Sequence, residues 1–447
     1  MRHHVCTLCL HVLGFATFVV SAPPSGRCDM HENQHDVIVV GARCAGSSTA
    51  MLLARYGYRV LLVDRSTFPS DTVSTHLIHP PGVAALQRWG LLDRVITTGC
   101  PPIDTYAFDF GPFTLSGSPG DADFPVAYAP RRTALDELLV DAAAESGAEV
   151  REGFTVNELV TENGAVVGIR GHGRNERRTV DERARVVVGA DGLHSLVARL
   201  VRPEQYHEHP PLLCGYYAYW SDLPMDGRWE AYDRPNRAFA AWATNDDLTL
   251  VIAGWPYREF EANKKDLEGN YLQTLALARP FAERLRTATR QTRLVGAVVP
   301  NFFRKPYGPG WVLVGDAGYN KDFITAQGIQ DAFHDAELCA TAVHETFSAG
   351  RPFDAALGEY QSRRDERVLP MYEFTLDLAA LEPPPPELRR LLAAVHGNQE
   401  AMDRFARVNA GVESPADFFA PDNVDRILAA AEQPPGHRAS DGPGAVS

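Results

Sequence analysis

The sequence predicts an α/β protein with an inserted β-sheet domain and a helical C-terminal part. A βαβ unit is expected near the start, because an apolar, β-branched run at residues 36–40 precedes a glycine-containing loop and a helical stretch. Residues 212–256 are rich in aromatic and β-branched side chains and contain turn signals, which predicts an antiparallel sheet. From Gln330 onward the pattern is mostly helical.

The elements of the predicted βαβ unit have clear boundaries. Helix-forming residues 47–56 end before Gly57, a residue type that favours helix C-caps. Residues 59–63 then repeat the buried-strand pattern and end before Asp64. The other predicted elements are helices at 82–95 (interrupted at Gly90) and 133–147, and strands at 148–150, 156–169 (with a turn at 163–164), 185–188 and 311–314.

The composition is that of a globular protein long enough for two domains, with 447 residues of which 45% are hydrophobic and 22% charged. The net charge of -14 argues against nucleic acid or an anionic membrane surface as the main partner. The seven cysteines are scattered, as expected in a reducing compartment. Cys6 and Cys9 form a CxxC pair with no second pair or histidine cluster, so no metal site is expected.

The first 34 residues resemble a targeting segment. Residues 5–20 form an apolar run behind Arg2, as in a signal peptide. Prolines directly after the small residues at 21–22 make a poor cleavage context, and Met30 lies six residues before the first predicted strand. We interpret residues 1–34 as a mis-assigned start or dispensable leader of a cytoplasmic protein, and expect no stable membrane insertion.

The loop after the first strand has the residue types of a nucleotide-binding turn. Gly41, followed by Ala42, and Gly46 occupy the first and third glycine positions of such a loop, and the helix N-terminus after them can bind a pyrophosphate. Arg43 stands at the second glycine position. Asp64, 23 residues after Gly41, is placed to accept hydrogen bonds from a ribose. The alternative is an ordinary first turn of an α/β protein.

Two further loops follow apolar strands. Residues 189–195 (GADGLHS) precede a helix, and residues 315–317 (GDA) are followed by AQG at 326–328, where another helix opens. The carboxylates of Asp191 and Asp316 can bind cofactor hydroxyls, and a helix N-terminus offers N–H groups and the positive end of its dipole. The alternatives are a simple polar turn and an N-capping aspartate.

In this order and spacing, the three motifs resemble the FAD fingerprint of the aromatic-hydroxylase superfamily, the flavoprotein monooxygenases typified by p-hydroxybenzoate hydroxylase. The resemblance spans about residues 36–340 and points to a bacterial branch that also resembles geranylgeranyl reductases. It implies a Rossmann-like FAD-binding domain with an inserted mixed or antiparallel β-sheet substrate domain and a helical C-terminal part. The FAD-binding residues that it implies are Gly41, Ala42, Gly46, Asp64, Arg65, Arg132, Asp191, Gly315, Asp316 and Gly328.

The third motif departs from the family pattern beyond residue 317. Tyr319 stands in the place of a histidine, Phe323 of a proline, Ala326 of a glycine and Gln330 of an asparagine. In the family the proline and glycine lie beside the flavin ring, so we expect an unusual reactive pocket.

The resemblance also implies domain boundaries. The expected segments are an FAD-binding domain at 35–95, 125–200 and 297–350, a substrate domain at 96–124 and 201–296, a helical C-terminal region at 351–432, and a disordered tail at 433–447.

The activity that the resemblance implies is oxygen transfer. NAD(P)H reduces FAD, and a flavin hydroperoxide formed with dioxygen hydroxylates a small, aromatic substrate. His76 and His79, between the second strand and the next helix, are candidate catalytic residues that tune a phenol or the flavin. The alternative is that both are structural. The aromatic residues at 216–220 either line a pocket or belong to the core.

Three other functions fit the same cofactor. The first is a reductase or dehydrogenase that acts on a C=C bond without dioxygen, and the second is a non-catalytic FAD-binding protein. The third, a flavin halogenase, is disfavoured, because no lysine precedes Lys264 and residues 254–256 do not match the GWGxWxIP signature.

Overall fold

The structure is a computed structural model that describes residues 34–174, 176 and 178–432. The predicted leader, apart from Gln34, and the predicted disordered tail lie outside the described residues.

The strands are β1 (Gln34–Val40), β2 (Val60–Val63), β3 (Pro102–Ile103), β4 (Thr105–Asp109), β5 (Thr114–Gly117), β6 (Ala127–Tyr128), β7 (Glu149–Arg151), β8 (Phe154–Glu162), β9 (Ala165–Gly173), β10 (Val180–Gly189), β11 (Gln205–His209), β12 (Leu213–Ser221), β13 (Arg228–Arg234), β14 (Arg237–Ala243), β15 (Thr249–Pro256), β16 (Thr289–Arg290), β17 (Val295–Val298), β18 (Asn301–Arg304), β19 (Tyr307–Gly308), β20 (Trp311–Leu313) and β21 (Tyr319–Asn320). The α-helices are α1 (Cys44–Arg55), α2 (Pro80–Trp89), α3 (Leu92–Thr97), α4 (Arg132–Glu145), α5 (Leu196–Val201), α6 (Phe260–Asn263), α7 (Leu267–Leu275), α8 (Arg279–Leu285), α9 (Gly328–Ala349), α10 (Phe353–Ala379), α11 (Pro386–Val395), α12 (Gln399–Ala410), α13 (Pro415–Phe418) and α14 (Pro421–Glu432).

The first sheet is a parallel core with an antiparallel extension. Its strand order is β19-β20-β10-β1-β2-β7, and β9 joins β10 to β8. The pairs β1–β2, β2–β7 and β10–β20 are parallel. All four residues of β2 are buried, as expected for a strand covered on both faces. The apolar side chains of α1, α2, α4 and α9 pack on one face, and those of α5, β8 and β9 lie on the other.

The second sheet is mixed. Its order is β16-β12-β15-β14-β13-β4-β5, with β17 also paired to β12. The stretch 213–256 forms antiparallel strands, as the sequence predicts. The pair β13–β4 is parallel, with Trp229 opposite Tyr106, so an early segment of the chain completes this sheet. The predicted α/β architecture with an inserted mixed sheet is confirmed.

The C-terminal helices cover one face of the second sheet. Side chains of α11, α12 and α13 share a buried cluster with Tyr106, Phe108 and Trp229 of the sheet. Helices α7 and α8 pack on the other side with Trp255 and Phe239. The helical C-terminal part is therefore confirmed, and it closes the sheet face that would otherwise meet solvent. In the described part of the chain, no helix is long and apolar enough to cross a membrane.

Two sequence-based boundaries change in the structure. The helical stretch expected at 82–95 begins at Pro80 and ends at Thr97, and its expected interruption is present, because Gly90 adopts a left-handed conformation (φ +74°) and ends α2. The strand expected at 185–188 starts at Val180, since its polar first half pairs with β9 outside the parallel core. The apolar pattern of the sequence identifies only the buried part of a strand, and in β10 the continuous buried run lies at the C-terminal end.

Candidate functional site

The three sequence motifs meet at one edge of the first sheet. Gly41 follows β1, Asp64 follows β2, Asp191 lies two residues after β10, and Gly315 lies two residues after β20. These four strands are neighbours in the order β20-β10-β1-β2, so their carboxyl ends open at the same edge. A cleft of about 910 Å³ lies there. The predicted FAD-binding residues that line it are Gly41, Asp64, Arg65, Arg132, Asp191, Gly315, Asp316 and Gly328.

The cleft has the close backbone approaches that a dinucleotide loop requires. A Cβ at Gly41 (φ +103°) would lie 2.5 Å from the carbonyl oxygen of Ala190, and one at Gly46 would overlap the carbonyl oxygen of Gly41. Helices α1 and α9 both begin at the cleft without a side-chain N-cap. Their first-turn N–H groups can therefore receive the pyrophosphate oxygens of FAD.

Asp64 ties the glycine loop to the end of β2. Its Oδ2 accepts a hydrogen bond from the Ala42 N–H (2.7 Å), and its Oδ1 accepts one from the Ser66 N–H (2.7 Å). Ala42 itself does not line the cleft, and its contribution is this backbone contact. Because each carboxylate oxygen accepts more than one hydrogen bond, Asp64 can also bind a ribose hydroxyl.

Arg43 is held by a buried carboxylate that sequence analysis missed. Its Nη1 lies 2.5 Å from Oδ2 of Asp136, and Nε of Arg132 lies 2.9 Å from Oδ1 of the same residue. The Asp136 side chain is fully buried, and the thiol of Cys44 also contacts it. Two guanidinium groups and one carboxylate leave a net positive charge beside the cleft, which fits a pyrophosphate. The i,i+4 spacing of Arg132 and Asp136 on α4 is the sequence pattern that could have predicted this ion pair.

Asp191 and Asp316 differ in their surroundings. Asp191 caps α5, since its Oδ1 accepts from the Ser195 hydroxyl (2.5 Å) and its Oδ2 from the Leu196 N–H (2.6 Å). Burial raises the pKa of Asp191. The depth of Asp316 in the protein raises its pKa to about 6, against the opposing charges of Arg132 and Lys321. The Asp316 side chain is open to the cleft, so solvent offsets part of this rise. Asp316 is thus the freer of the two carboxylates for a ligand hydroxyl.

The altered third motif places a lysine in the cleft. Lys321 donates hydrogen bonds to the Tyr319 hydroxyl and to Asp331, and the Tyr319 hydroxyl donates to Asp331 (3.2 Å). All three side chains line the cleft, and that of Lys321 is only 5% exposed. The sequence could have indicated this lysine as a site residue, because only four lysines occur in the chain and one of them lies within this motif.

A second, apolar cavity of about 1060 Å³ adjoins the cleft. Thr75, Ile252, Phe323 and Ala326 line both spaces. A Cβ at Gly215 would lie 2.5 Å from Cζ of Phe323, so glycine makes room for this ring. The aromatic walls of the cavity, on the second sheet and the C-terminal helices, are Phe108, Phe110, Trp229, Tyr232, Phe239, Trp242, Phe374, Phe405 and Phe419.

The two candidate catalytic histidines are buried and line neither space. His79 Nδ1 lies 2.7 Å from the Tyr106 hydroxyl and Nε2 lies 3.1 Å from the Thr325 carbonyl. A carbonyl only accepts, so Nε2 carries the proton and Nδ1 accepts from the tyrosine. His76 Nε2 lies 2.5 Å from the Tyr219 hydroxyl. These positions favour structural roles, and catalysis by either histidine stays a prediction.

The aromatic residues at 216–220 divide between the site and the core. Tyr217 lines the cleft. Tyr219 contacts His76, and the Trp220 indole donates to the Tyr271 hydroxyl in the core. Among the described residues, no group of three or more His, Cys, Asp and Glu side chains is arranged to hold a metal ion.

We expect His79→Gln to flatten the pH dependence of stability. Burial lowers the pKa of His79 to about 4 from 6.5, so between these values the unfolded chain binds a proton that the folded protein rejects. The free energy of unfolding contributed by this residue is complete above pH 6.5 and falls with decreasing pH, by about 1.4 kcal/mol per pH unit. Urea unfolding between pH 6.5 and 4.5 measures the slope.

The exposed His396 supplies the control for this measurement. His396→Gln should leave the slope at the wild-type value, because His396 lies on the surface. Buried Asp322, whose pKa is raised to about 7, contributes with the opposite sign, so the difference between variant and wild type is the quantity to compare. An unchanged slope in His79→Gln would show that folding does not change the pKa of His79.

Comparisons with known proteins agree with this geometry. A family described as FAD binding domain matches residues 34–267. Digeranylgeranylglycerophospholipid reductase 1 of Methanopyrus kandleri is 25% identical over 78% of this chain and 91% of its own length. The 6-methylpretetramide 4-monooxygenase of Streptomyces rimosus is 28% identical over 67% of this chain and 73% of its own.

Solved structures share the fold. The myxobacterial chondrochloren halogenase CndH, described as a new variant of FAD-dependent halogenases, superimposes with a TM-score of 0.73 at 22% identity, covering 86% of this chain and all of that one. A flavoprotein/dehydrogenase from Cytophaga hutchinsonii superimposes with a TM-score of 0.75 at 18% identity, covering 89% of this chain and 98% of that one. At these identities the likeness concerns the fold alone.

The family match covers more than half of the chain, including β1, the glycine loop, Asp64 and the motif at 189–195. The predicted resemblance is therefore confirmed. The residues of the cleft also fit the cofactor, by close backbone approach at Gly41, uncapped helix N-termini and the paired arginines at Asp136. The protein thus belongs to the FAD binding domain family and is an FAD-dependent oxidoreductase.

Proposed function

We propose that this protein is an NAD(P)H-driven monooxygenase that inserts one oxygen atom of dioxygen into a large, apolar, aromatic substrate. The observation that carries the proposal is the apolar cavity, which adjoins the FAD cleft through Thr75, Ile252, Phe323 and Ala326. A substrate held there contacts the same side chains that border the cofactor site. The relative named as a monooxygenase supports oxygen transfer.

The size of the cavity revises the expected substrate from small to large. Ligand pockets generally span about 300–1,000 Å³, and this cavity reaches about 1060 Å³. A single aromatic ring would leave most of it unfilled. Apolar walls gain free energy in proportion to the area that a ligand covers, so a substrate with several fused rings fits better.

FAD, when bound, accepts electrons from NAD(P)H and activates dioxygen. The chain's own groups position the reactants. The first turns of α1 and α9, with Arg43 and Arg132, would hold the pyrophosphate, and Asp64 and Asp316 would accept hydrogen bonds from hydroxyl groups. The aromatic walls orient the substrate, and Phe323 and Ile252 restrict the passage of water between the two spaces.

A second candidate is a reductase of C=C bonds. It is favoured by the digeranylgeranylglycerophospholipid reductase relative and by a cavity that could also hold a long hydrocarbon chain. It needs the same cofactor but no dioxygen.

Turnover with ¹⁸O₂ distinguishes the two reactions. The FAD-loaded protein is supplied with NADH or NADPH and a panel of multi-ring phenols and polyprenyl lipids, and products are analysed by mass spectrometry. The proposal expects one ¹⁸O atom in a multi-ring product. Anaerobic addition of two hydrogens to a polyprenyl lipid, without oxygen incorporation, would establish the reductase instead.

We expect Phe323→Ala to uncouple the reaction. The ring lies against Gly215 between the two spaces, so its loss opens a path for water. Hydrogen peroxide released per NAD(P)H consumed should rise roughly threefold, since water exclusion protects the activated oxygen. Peroxide and NAD(P)H assays measure the ratio. Phe374→Ala is the control, because Phe374 lines only the apolar cavity, and an equal rise there would contradict a special role for Phe323.

A further inference from the structure

The charged side chains that line the apolar cavity are all acidic. They are Asp109, Asp233, Glu373, Asp377 and Glu382, and the described lining residues include one imidazole, that of the exposed His209, but no lysine or arginine. The FAD cleft differs sharply, since it is lined by Arg43, Arg65, Arg132, Arg199 and Lys321 as well as by aspartates. The negative net charge of the protein does not by itself explain why the two linings differ in charge, because it applies to both spaces equally.

Three of these carboxylates form the mouth of the cavity. Glu373 and Asp377 lie one turn apart on α10, and Glu382 follows the end of that helix. All three are exposed, and among the described residues none has an ion pair or a side-chain hydrogen bond. Asp109, in contrast, is paired with Arg234 at 2.7 Å. Asp233, half-buried on β13, likewise has no ion pair among the described residues, so four of the five carboxylates are unpaired and the three exposed ones lie at the mouth.

A polar group without a partner lies in the cavity wall. Asn409, on α12, is 7% exposed and lines the cavity, and its side-chain amide has no hydrogen-bond partner among the described residues. Its backbone carbonyl accepts from Gln327 (2.7 Å), which fixes its position. The amide is not among the buried polar atoms that lack a partner, so it is open to the cavity, where it can donate to or accept from a bound molecule.

We propose that the cavity accepts a large, apolar substrate that carries a protonated amine and excludes molecules that carry a carboxylate or phosphate. The inference rests on the proposed function and names its substrate class. The apolar body fills the aromatic interior, a carbonyl or hydroxyl of the substrate pairs with Asn409, and the ammonium group lies at Glu373, Asp377 and Glu382. An anionic group would meet repulsion at this mouth and find no cation inside.

Three probes with one ring system test the charge preference. They are 1-pyrenemethylamine (cationic), 1-pyrenemethanol (neutral) and 1-pyrenecarboxylate (anionic), and their binding to the FAD-loaded protein is followed by fluorescence anisotropy at low salt. We expect the amine to bind about tenfold more tightly than the carboxylate, with the alcohol between them.

Matched variants locate the preference. In E373Q/D377N/E382Q the difference between amine and carboxylate should shrink to less than about threefold, because the mouth has lost its charge. In D93N/D354N/E366Q, which removes three exposed carboxylates outside the cavity, the wild-type difference should remain. The second variant controls for the overall charge of the protein.

The inference is overturned if the carboxylate binds as tightly as the amine, if no probe binds, or if the mouth variant keeps the wild-type difference. Binding is measured without turnover, so it is separate from the proposed function. Charge preference without oxygen transfer to any substrate would refute the proposed function alone. Oxygen transfer without charge preference would refute this inference alone.

Discussion

Gly46→Ala is expected to weaken FAD binding severely. The added methyl group would overlap the carbonyl oxygen of Gly41 and would lie 3.0 Å from Cβ of Ala190. Both neighbours belong to the loops that form the cleft, so relief of the overlap must move α1 away from β1 and from the pyrophosphate site. We expect the FAD dissociation constant to rise by at least about 100-fold, equivalent to about 2.8 kcal/mol. Titration of apoprotein with FAD, followed by flavin fluorescence, measures the constant.

Gly358→Ala is the control for this substitution. Gly358 lies within α10, where a Cβ would meet only the Tyr307 hydroxyl at 3.4 Å, and alanine is the better helix former. FAD affinity should remain at the wild-type value in this variant. A Gly46→Ala protein that binds FAD as tightly as wild type would show that the loop geometry is not required for the cofactor.

Asp136→Asn is expected to lower the free energy of unfolding of the apoprotein by about 3–5 kcal/mol. Asp136 is the shared partner of Arg43 and Arg132 and is fully buried, so its neutralisation removes the carboxylate that pairs directly with both guanidinium groups. In the proposed binding mode, FAD would place its negative phosphates beside the same arginines. The loss should therefore be smaller in the presence of saturating FAD, and the rise in melting temperature on FAD addition should exceed that of wild type.

Urea unfolding and thermal melts with and without FAD measure both effects. Asp141→Asn, an exposed position on the same helix with a distant partner (Arg94, 3.9 Å), should change stability by no more than about 0.5 kcal/mol. If Asp136→Asn apoprotein unfolds at the urea concentration of wild type, the arginines do not depend on this carboxylate.

Local patterns were enough to predict which residues line the cleft. Each of the three motifs follows a buried strand of the parallel sheet, and a parallel sheet brings the ends of such strands to one edge whatever the rest of the chain does. Eight of the ten predicted FAD-binding residues line the cleft for this reason: Gly41, Asp64, Arg65, Arg132, Asp191, Gly315, Asp316 and Gly328. The other two, Ala42 and Gly46, form the packed inner side of the loop.

The candidate catalytic residues could not be placed in the same way. His76 and His79 follow β2 in the chain near the expected flavin position, yet contacts with Tyr219 and Tyr106, far away in sequence, bury both side chains. Whether a polar side chain faces a cavity or the core depends on residues that pack on it from other elements. The spacing of residues along one sequence does not show which distant residues pack on a given side chain.

The sequence by itself determined the fold class, the cofactor and the sheet edge at which its predicted binding residues meet, because strand periodicity and glycine positions are local properties of the backbone. Only the tertiary structure decided the shape and charge of the substrate cavity. Its walls come from the second sheet, which includes β4, and from the C-terminal helices. Its acidic mouth comes from α10 and the turn after it. Those segments are distant in the chain, and only folding brings them together around the space beside Phe323.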